Sequence, residues 1–205
     1  MRLFSPLLFA VALSAQIRPV PYAAEMGPLF SVKSVHLQYP ETYRSIKDVD
    51  FGNTALQLDG IRLKNGHYEL MDRQKYQFDL VELSEVHYIG PATALVTYYR
   101  ASGGGSTNNT GLAQVNTLSN HRLAITQRIT WDEDARGGSE PSYRFDAATN
   151  TLFLRSSHYL SGDAHCCISA VDVVTFVWTG KQFQQRSVRT ELSAYGRREG
   201  RSLPR

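Results

Sequence analysis

The residues with the clearest chemical potential are two adjacent cysteines, Cys166 and Cys167, the only cysteines of the chain. They follow His165 directly, in the segment GDAHCCIS. Adjacent Cα atoms lie ~3.8 Å apart across a trans peptide, below the ~4.4–6.8 Å that disulfides usually span. A bond between these neighbouring sulfur atoms would therefore be strained, and strained disulfides are comparatively easy to reduce.

The residues alone leave four chemical states of this cysteine pair possible. We favour a vicinal disulfide, followed by two separate buried thiols, since successive strand side chains point to opposite faces. A bridge to another chain comes third. A metal site with His165, His158 and Asp163 comes last, because zinc-binding cysteines normally have two or more residues between them. We therefore expect no metal and no cofactor.

The bend around the cysteine pair is the feature that we expect to have a role beyond filling volume. We predict that Gly162, Asp163, His165 and His158 belong to one functional loop at a sheet edge. The chain has no Gly-x-Ser-x-Gly elbow, no His-Glu-x-x-His and no Cys-x-x-Cys. We therefore predict no catalytic residues and a binding or structural domain, with a thiol–disulfide enzyme or a hydrolase as the alternative.

A second candidate is a weak anion-binding loop formed by Gly103, Gly104, Gly105 and Ser106. Its backbone N–H groups could face an anion, but the Lys-Ser/Thr ending of a phosphate-binding loop is missing. A flexible hairpin loop over Ser102–Gly111 explains the same residues more simply.

The first residues, Met1–Ala15 (MRLFSPLLFAVALSA), have the pattern of a signal peptide. One positive charge precedes an apolar run that ends in small residues. We expect cleavage after Ala15, or as late as Ala24, and a linker over 16–28. The run is shorter than the ~20 apolar residues that cross a bilayer. The sequence thus predicts a secreted or periplasmic protein with no membrane span after cleavage.

Hydrophobic residues make up 42% and charged residues 20% of the 205 residues, an ordinary globular composition. The net charge of +3 is too small for a dedicated nucleic-acid binder, so an envelope protein or a small ligand is the expected partner. Alternating apolar residues separated by Gly and Asn indicate about nine or ten strands. Candidate strands are Ile61–Leu63, His67–Leu70, Tyr76–Tyr88, Ala92–Arg100, Leu112–Leu118, Arg122–Trp131, Tyr143–Asp146, Thr151–Ser156, Val171–Trp178 and Phe183–Leu192.

Short turns between these strands predict an antiparallel meander. We therefore expect an all-β, or β-dominated α+β, domain over 29–192 that forms a curved sheet, a sandwich or a partly open barrel. Asp59-Gly60 and Asn65-Gly66 are the clearest hairpin turns. We also expect a short helix in Glu41–Val49, and a flexible basic tail over 193–205.

The segment GDAHCCISAVDVVTFVWTGKQF resembles a stretch of poorly characterised exported bacterial proteins, including the LppP/LprE-like lipoproteins of mycobacteria. The upstream segments ATALVTYYRASGGGS and IKDVDFGNTALQL are similar to parts of the same proteins, so the likeness covers Ile46–Gln185. This chain differs in having Ile168 after the cysteine pair, where the relatives carry Pro, and in lacking the lipoprotein Cys. The resemblance implies export and a β-rich fold, and it implies no activity.

Overall fold

The computed structural model describes residues 30–53, 61–72, 77–103, 107–132, 142–163 and 168–203. It confirms the predicted all-β fold, with one short 3-10 helix and one short α-helix in the described part. The strands are β1 (Phe30–Thr42), β2 (His67–Asp72), β3 (Gln77–Tyr88), β4 (Thr93–Gly103), β5 (Thr107–Ser119), β6 (Arg122–Asp132), β7 (Tyr143–Asp146), β8 (Thr151–His158), β9 (Ala170–Trp178) and β10 (Phe183–Leu192). The 3-10 helix is Ile46–Asp48, and the α-helix, α1, is Ala194–Arg198.

The strands form two antiparallel sheets. The six-stranded sheet has the order β1-β6-β5-β4-β3-β2, and the four-stranded sheet has the order β10-β9-β8-β7. All neighbours except β1 and β6 are consecutive in the chain, as a meander requires. Neither sheet closes on itself in the described residues, so the architecture is an open sandwich. None of the described helices is long and apolar enough to cross a membrane.

Two of the hairpins are closed by two-residue turns whose residues have positive φ. Asn65 and Gly66 both have positive φ, as a type I′ turn demands, and they join Lys64 to His67. This turn confirms the prediction. The β5–β6 turn lies one residue later than predicted, at Asn120 and His121, which also have positive φ. The predicted Asp59-Gly60 turn lies outside the described residues.

The six-stranded sheet has one irregularity between β3 and β4, a register shift between Leu83 and Glu85. The predicted loop over Ser102–Gly111 is wrong at both of its ends, because β4 and β5 stay paired up to Gly103 and Thr107. Its middle, residues 104–106, lies outside the described residues. Gly111 belongs to β5, where it pairs with Trp131, and a larger residue would not fit there because the Trp131 ring occupies the space of a Cβ.

The predicted short helix in Glu41–Val49 is a single 3-10 turn. Ser45 caps it: the Lys47 N–H donates to Ser45 Oγ (3.2 Å), and the Ser45 N–H donates to Asp48 Oδ2 (2.9 Å). The turn buries Ile46 against one face of the six-stranded sheet. It thereby begins a segment that covers this face.

The six-stranded sheet is packed on both faces, which gives the domain two cores. The inter-sheet core contains Ile89, Leu95, Ala113, Val115, Ile129, Trp131, Leu152, Leu154, Val174, Phe176 and Phe183. The outer core, on the opposite face, contains Tyr39, Ile46, Val49, Phe51, Ile61, Leu63, Val81, Ala94, Val96, Tyr98, Leu112, Leu123 and Ile125. Apolar burial of this extent is the main driving force for folding.

One buried amide joins the two sheets. Gln127 of β6 donates from Nε2 to the Phe183 carbonyl (2.8 Å) and accepts from the Phe183 N–H at Oε1 (2.8 Å). The Gln127 side chain therefore pairs with the backbone N–H and C=O of Phe183, as a neighbouring strand would. A second contact between the sheets joins the hydroxyls of Thr97 and Tyr143 (2.9 Å).

Replacing Gln127 with Met should lower the free energy of unfolding by about 2–4 kcal/mol. The change leaves the buried N–H and C=O of Phe183 unpaired, and each unpaired buried group costs roughly 1–3 kcal/mol. Urea unfolding measures the loss. The exposed Gln185→Met variant is the control and should stay within about 0.5 kcal/mol of wild type. Equal stability of the two variants would contradict the inter-sheet role of Gln127.

The outer core also predicts a loss of stability at high pH. Burial raises the pKa of Tyr39 to about 12, against the opposing effect of the positive charge of Arg128. Burial raises the pKa of Tyr98 as well. Above pH ~10, tyrosines of the unfolded chain ionise while these two stay protonated, so the free energy of unfolding falls as pH rises.

Replacing Tyr98 with Phe should reduce this fall by about 1.4 kcal/mol for each pH unit between ~10 and ~12. Urea unfolding at several pH values in that range measures the slope. The control is Tyr88→Phe, since Tyr88 is exposed. If the free energy of unfolding of Tyr98→Phe falls with pH as steeply as that of wild type, the buried Tyr98 phenol does not cause the fall.

Candidate functional site

The candidate site lies at the end of the four-stranded sheet where β8 passes to β9. His158, the last residue of β8, pairs with Ala170, the first residue of β9. The connection between them therefore leaves and re-enters the sheet on neighbouring strands. It contains residues 164–167, and with them His165, Cys166 and Cys167, which lie outside the described residues. The vicinal disulfide thus stays a prediction.

Asp163 ties the two ends of this connection together. Its Oδ2 accepts hydrogen bonds from the N–H of Leu160 (2.9 Å) and of Ser169 (2.8 Å). Its Oδ1 accepts from the Ser169 hydroxyl (2.5 Å) and lies 3.3 Å from Nη2 of Arg201. The Asp163 side chain is only 2% exposed. A buried carboxylate with this many donors is well compensated for its loss of water.

Gly162 makes the turn that places this carboxylate. The Asp163 N–H donates to the Leu160 carbonyl (2.9 Å), which closes a four-residue turn. Gly162 has φ +85°, a value that residues with a Cβ rarely adopt. The structure therefore gives Gly162 and Asp163, both named from the sequence, defined roles in holding the loop.

The chain after β10 packs against the same place. The Ser193 N–H donates to the Ser169 carbonyl (2.9 Å), and the Ser193 hydroxyl donates to the Ile168 carbonyl (2.6 Å). Helix α1 follows, with Gly196 so close to Ser169 that no Cβ fits between them. Arg201 then donates to the Ser161 carbonyl (2.7 Å). The sequence does not predict this helix, because five residues are too few to show a helical period.

A polar relay lies beside this loop. Nδ1 of His158 is 2.9 Å from Oδ2 of Asp172, and the Thr190 hydroxyl donates to Oδ1 of Asp172 (2.7 Å). Asp172 is buried, whereas the His158 side chain is 36% exposed. With its hydrogen on Nδ1, the imidazole has Nε2 left as a proton acceptor, as in relays that activate a nucleophile.

Sequence reasoning found His158 but missed its partners, Asp172 and Thr190. It grouped His158 with Asp163, whereas the structure bonds it to Asp172. The available signal was Asp172 itself, an acidic residue within the apolar run VDVV of a buried strand. Such a residue requires a buried partner. Thr190 gave no signal, because its approach depends on the β9–β10 register.

Of the predicted anion-binding loop, the structure describes Gly103 alone. Gly103 pairs with Thr107 in the six-stranded sheet, and Gly104, Gly105 and Ser106 lie outside the described residues. The described residues contain no group of three or more His, Cys, Asp or Glu side chains that could hold a metal ion.

No family model, no curated protein and no solved structure matches this chain.

Replacing Asp163 with Asn should lower the free energy of unfolding by about 2–3 kcal/mol. An amide has one acceptor oxygen where the carboxylate has two, so its NH2 group faces a donor in either orientation: the N–H groups of Leu160 and Ser169, or Nη2 of Arg201. The change also removes the charge, and hydrogen bonds to a charged group are worth roughly 1.5–3 kcal/mol. Urea unfolding measures the effect. Glu199→Gln, in an exposed position after α1, is the control and should cost less than ~0.5 kcal/mol. A loss no larger than that of the control would show that Asp163 does not hold the loop.

Proposed function

We propose that the protein is an exported β-sandwich domain of the bacterial cell envelope that acts as a binding or structural module. In this proposal residues 164–167 form the contact surface, and their partner is an envelope protein or a small ligand. The observation that carries the proposal is the set of hydrogen bonds made by Asp163. They fix both ends of a short segment that contains the chain's two cysteines.

Fixed ends favour binding because they reduce the conformational entropy that the segment between them loses when a partner binds. In this proposal a vicinal disulfide between Cys166 and Cys167 stiffens the segment further. Export is supported by the leader at Met1–Ala15, since secreted proteins reach compartments in which disulfides persist. The resemblance to exported bacterial proteins points to the same location.

The cysteine pair gives the first test of this proposal. In protein purified from the periplasm or the medium, neither Cys166 nor Cys167 should react with an alkylating reagent before reduction, and both should react afterwards. Intact-mass spectrometry measures this and also shows whether the leader is gone. Two thiols that alkylate without reduction would contradict the disulfide, and a soluble intracellular chain that retains Met1 would contradict export.

The loop itself gives the second test. Saturable cosedimentation with isolated cell envelopes should weaken about tenfold or more in a variant carrying His165→Ala, Cys166→Ser and Cys167→Ser. Lys181→Ala, in the exposed β9–β10 turn, is the matched control and should bind as wild type does. Equal binding of the loop variant and wild type would refute the assignment of the contact surface.

A second candidate function is favoured by the His158–Asp172–Thr190 relay. A histidine held by a buried carboxylate is the usual base of thiol and hydroxyl nucleophiles. An exported enzyme, either a hydrolase or a thiol–disulfide reagent, would use it. Hydrolysis of p-nitrophenyl acetate and reduction of insulin disulfides test this. Turnover that falls about 100-fold or more in His158→Gln, with folding intact, would replace the binding proposal by the enzymatic one.

A further inference from the structure

One edge of the four-stranded sheet is open. β10 is the last strand on that side, so every second residue of β10 turns its backbone N–H and C=O away from β9. The bond from the Ser193 N–H to the Ser169 carbonyl fixes which residues these are, because that pair continues the β9–β10 register. By the alternation of the ladder, Arg189 faces β9, and Val188 and Thr190 face outward.

Both ends of this edge are closed by side chains of the protein itself. At the start of β10, the Gln127 amide pairs with both backbone groups of Phe183. At its end, Nη1 of Arg197 donates to the carbonyl of Leu192, which is also an outward-facing residue. Between these ends, none of the described residues pairs with the outward N–H and C=O of Val188. An open strand edge of this kind is a template for another extended chain.

The side chain of Val188 shows that the inter-sheet core is incomplete at this edge. Val188 is opposite Val174, so the two side chains share one face of the sheet. Val174 is fully buried in the inter-sheet core, whereas Val188 is 44% exposed. A strand added beside β10 would cover Val188 with its own side chains, and this burial of apolar surface would favour the addition.

The charge of this part of the chain selects the kind of partner. The segment from Lys181 to Glu199 contains five Lys and Arg residues and two Glu residues, so its net charge equals the +3 of the whole chain. Arg186 and Arg189 are the exposed cations of β10 itself. Arg189 contacts Glu191 (2.9 Å), and no described residue forms an ion pair with Arg186. A second copy of the chain would bring the same positive segment to this edge, which is unfavourable, whereas an acidic chain would be attracted.

We propose that the outward edge of β10 binds an acidic, extended segment of another protein as a fifth strand of this sheet. The backbone of the partner pairs with the N–H and C=O groups of Val188 and Thr190. Its apolar residues cover Val188 on the core face, and its acidic residues lie beside Arg189 on the opposite face, because successive strand residues alternate. The partner therefore alternates acidic and β-branched residues. This surface goes beyond the proposed function, because it uses β10 and not residues 164–167.

The experiment uses the peptide TEVEVEVT, with both ends blocked, as the probe. Its controls are TKVKVKVT, which has the opposite charge, and TEEEVVVT, which has the same composition without alternation. Fluorescence anisotropy should show saturable binding of TEVEVEVT to the purified protein and no binding of either control. In NMR, TEVEVEVT should slow amide hydrogen exchange of Val188 and Thr190 about tenfold or more. It should leave Arg189 and Glu191 unchanged, because their N–H groups already pair with β9.

Two variants test the charge and the edge separately. Arg186→Glu combined with Arg189→Glu should bind TEVEVEVT about tenfold or more weakly and should gain binding of TKVKVKVT. Val188→Pro removes an outward N–H without removing a bond to β9, and it should also weaken binding about tenfold or more. Arg122→Glu combined with Lys64→Glu changes exposed cations outside β10 by the same charge, and this control should bind as wild type does.

The proposal is overturned if TEVEVEVT does not bind, if TEEEVVVT binds equally well, or if the double variant of β10 keeps the affinity of wild type. Slow exchange of the Val188 and Thr190 amides in the free protein would also overturn it, because the edge is then already covered. So would binding of phosphatidylglycerol vesicles through the same two arginines with no effect of TEVEVEVT on these amides, because the positive segment then serves an anionic lipid surface.

Discussion

One buried carboxylate, that of Asp163, holds the end of the four-stranded sheet where β8 passes to β9. Asp163 accepts hydrogen bonds from residues on both sides of the β8–β9 connection and also meets Arg201 from the end of the chain. A carboxylate can satisfy several donors at once, which no neutral side chain of this size can do. Three chain segments therefore meet at one point, and the segment with the cysteines begins and ends there. Geometry at this end of the sandwich depends on that charge.

The rest of the sandwich provides a rigid base for this point. The cores on both faces of the six-stranded sheet bury its strands, and Gln127 attaches the start of β10 to the other sheet. Strands β8, β9 and β10 then carry His158, Asp172 and Thr190 in fixed register. Sites built on strands hold their geometry better than sites built on loops. The relay and both described ends of the β8–β9 connection are thus held by the same sheet.

Much of the fold could be predicted from the sequence, and the part that could not be predicted has a physical reason. Alternation and turn residues predict strands such as β7 and β9 and the Asn65-Gly66 turn, because these depend on local preferences. The pairing of β1 with β6 and the docking of α1 depend on contacts between distant residues, which leave no local pattern. For the site, Gly162 and Asp163 stood out in the sequence. Thr190 did not, because only the strand register brings it to Asp172.

The most direct measurement is the amide hydrogen-exchange rate of Leu160 and Ser169 in the native protein, read by NMR. If Asp163 accepts from both groups, their amides should exchange as slowly as those in the middle of β9, although both residues lie outside the strands. Exchange at the rate of exposed loop amides would show that the carboxylate does not hold the loop, and the account would fail.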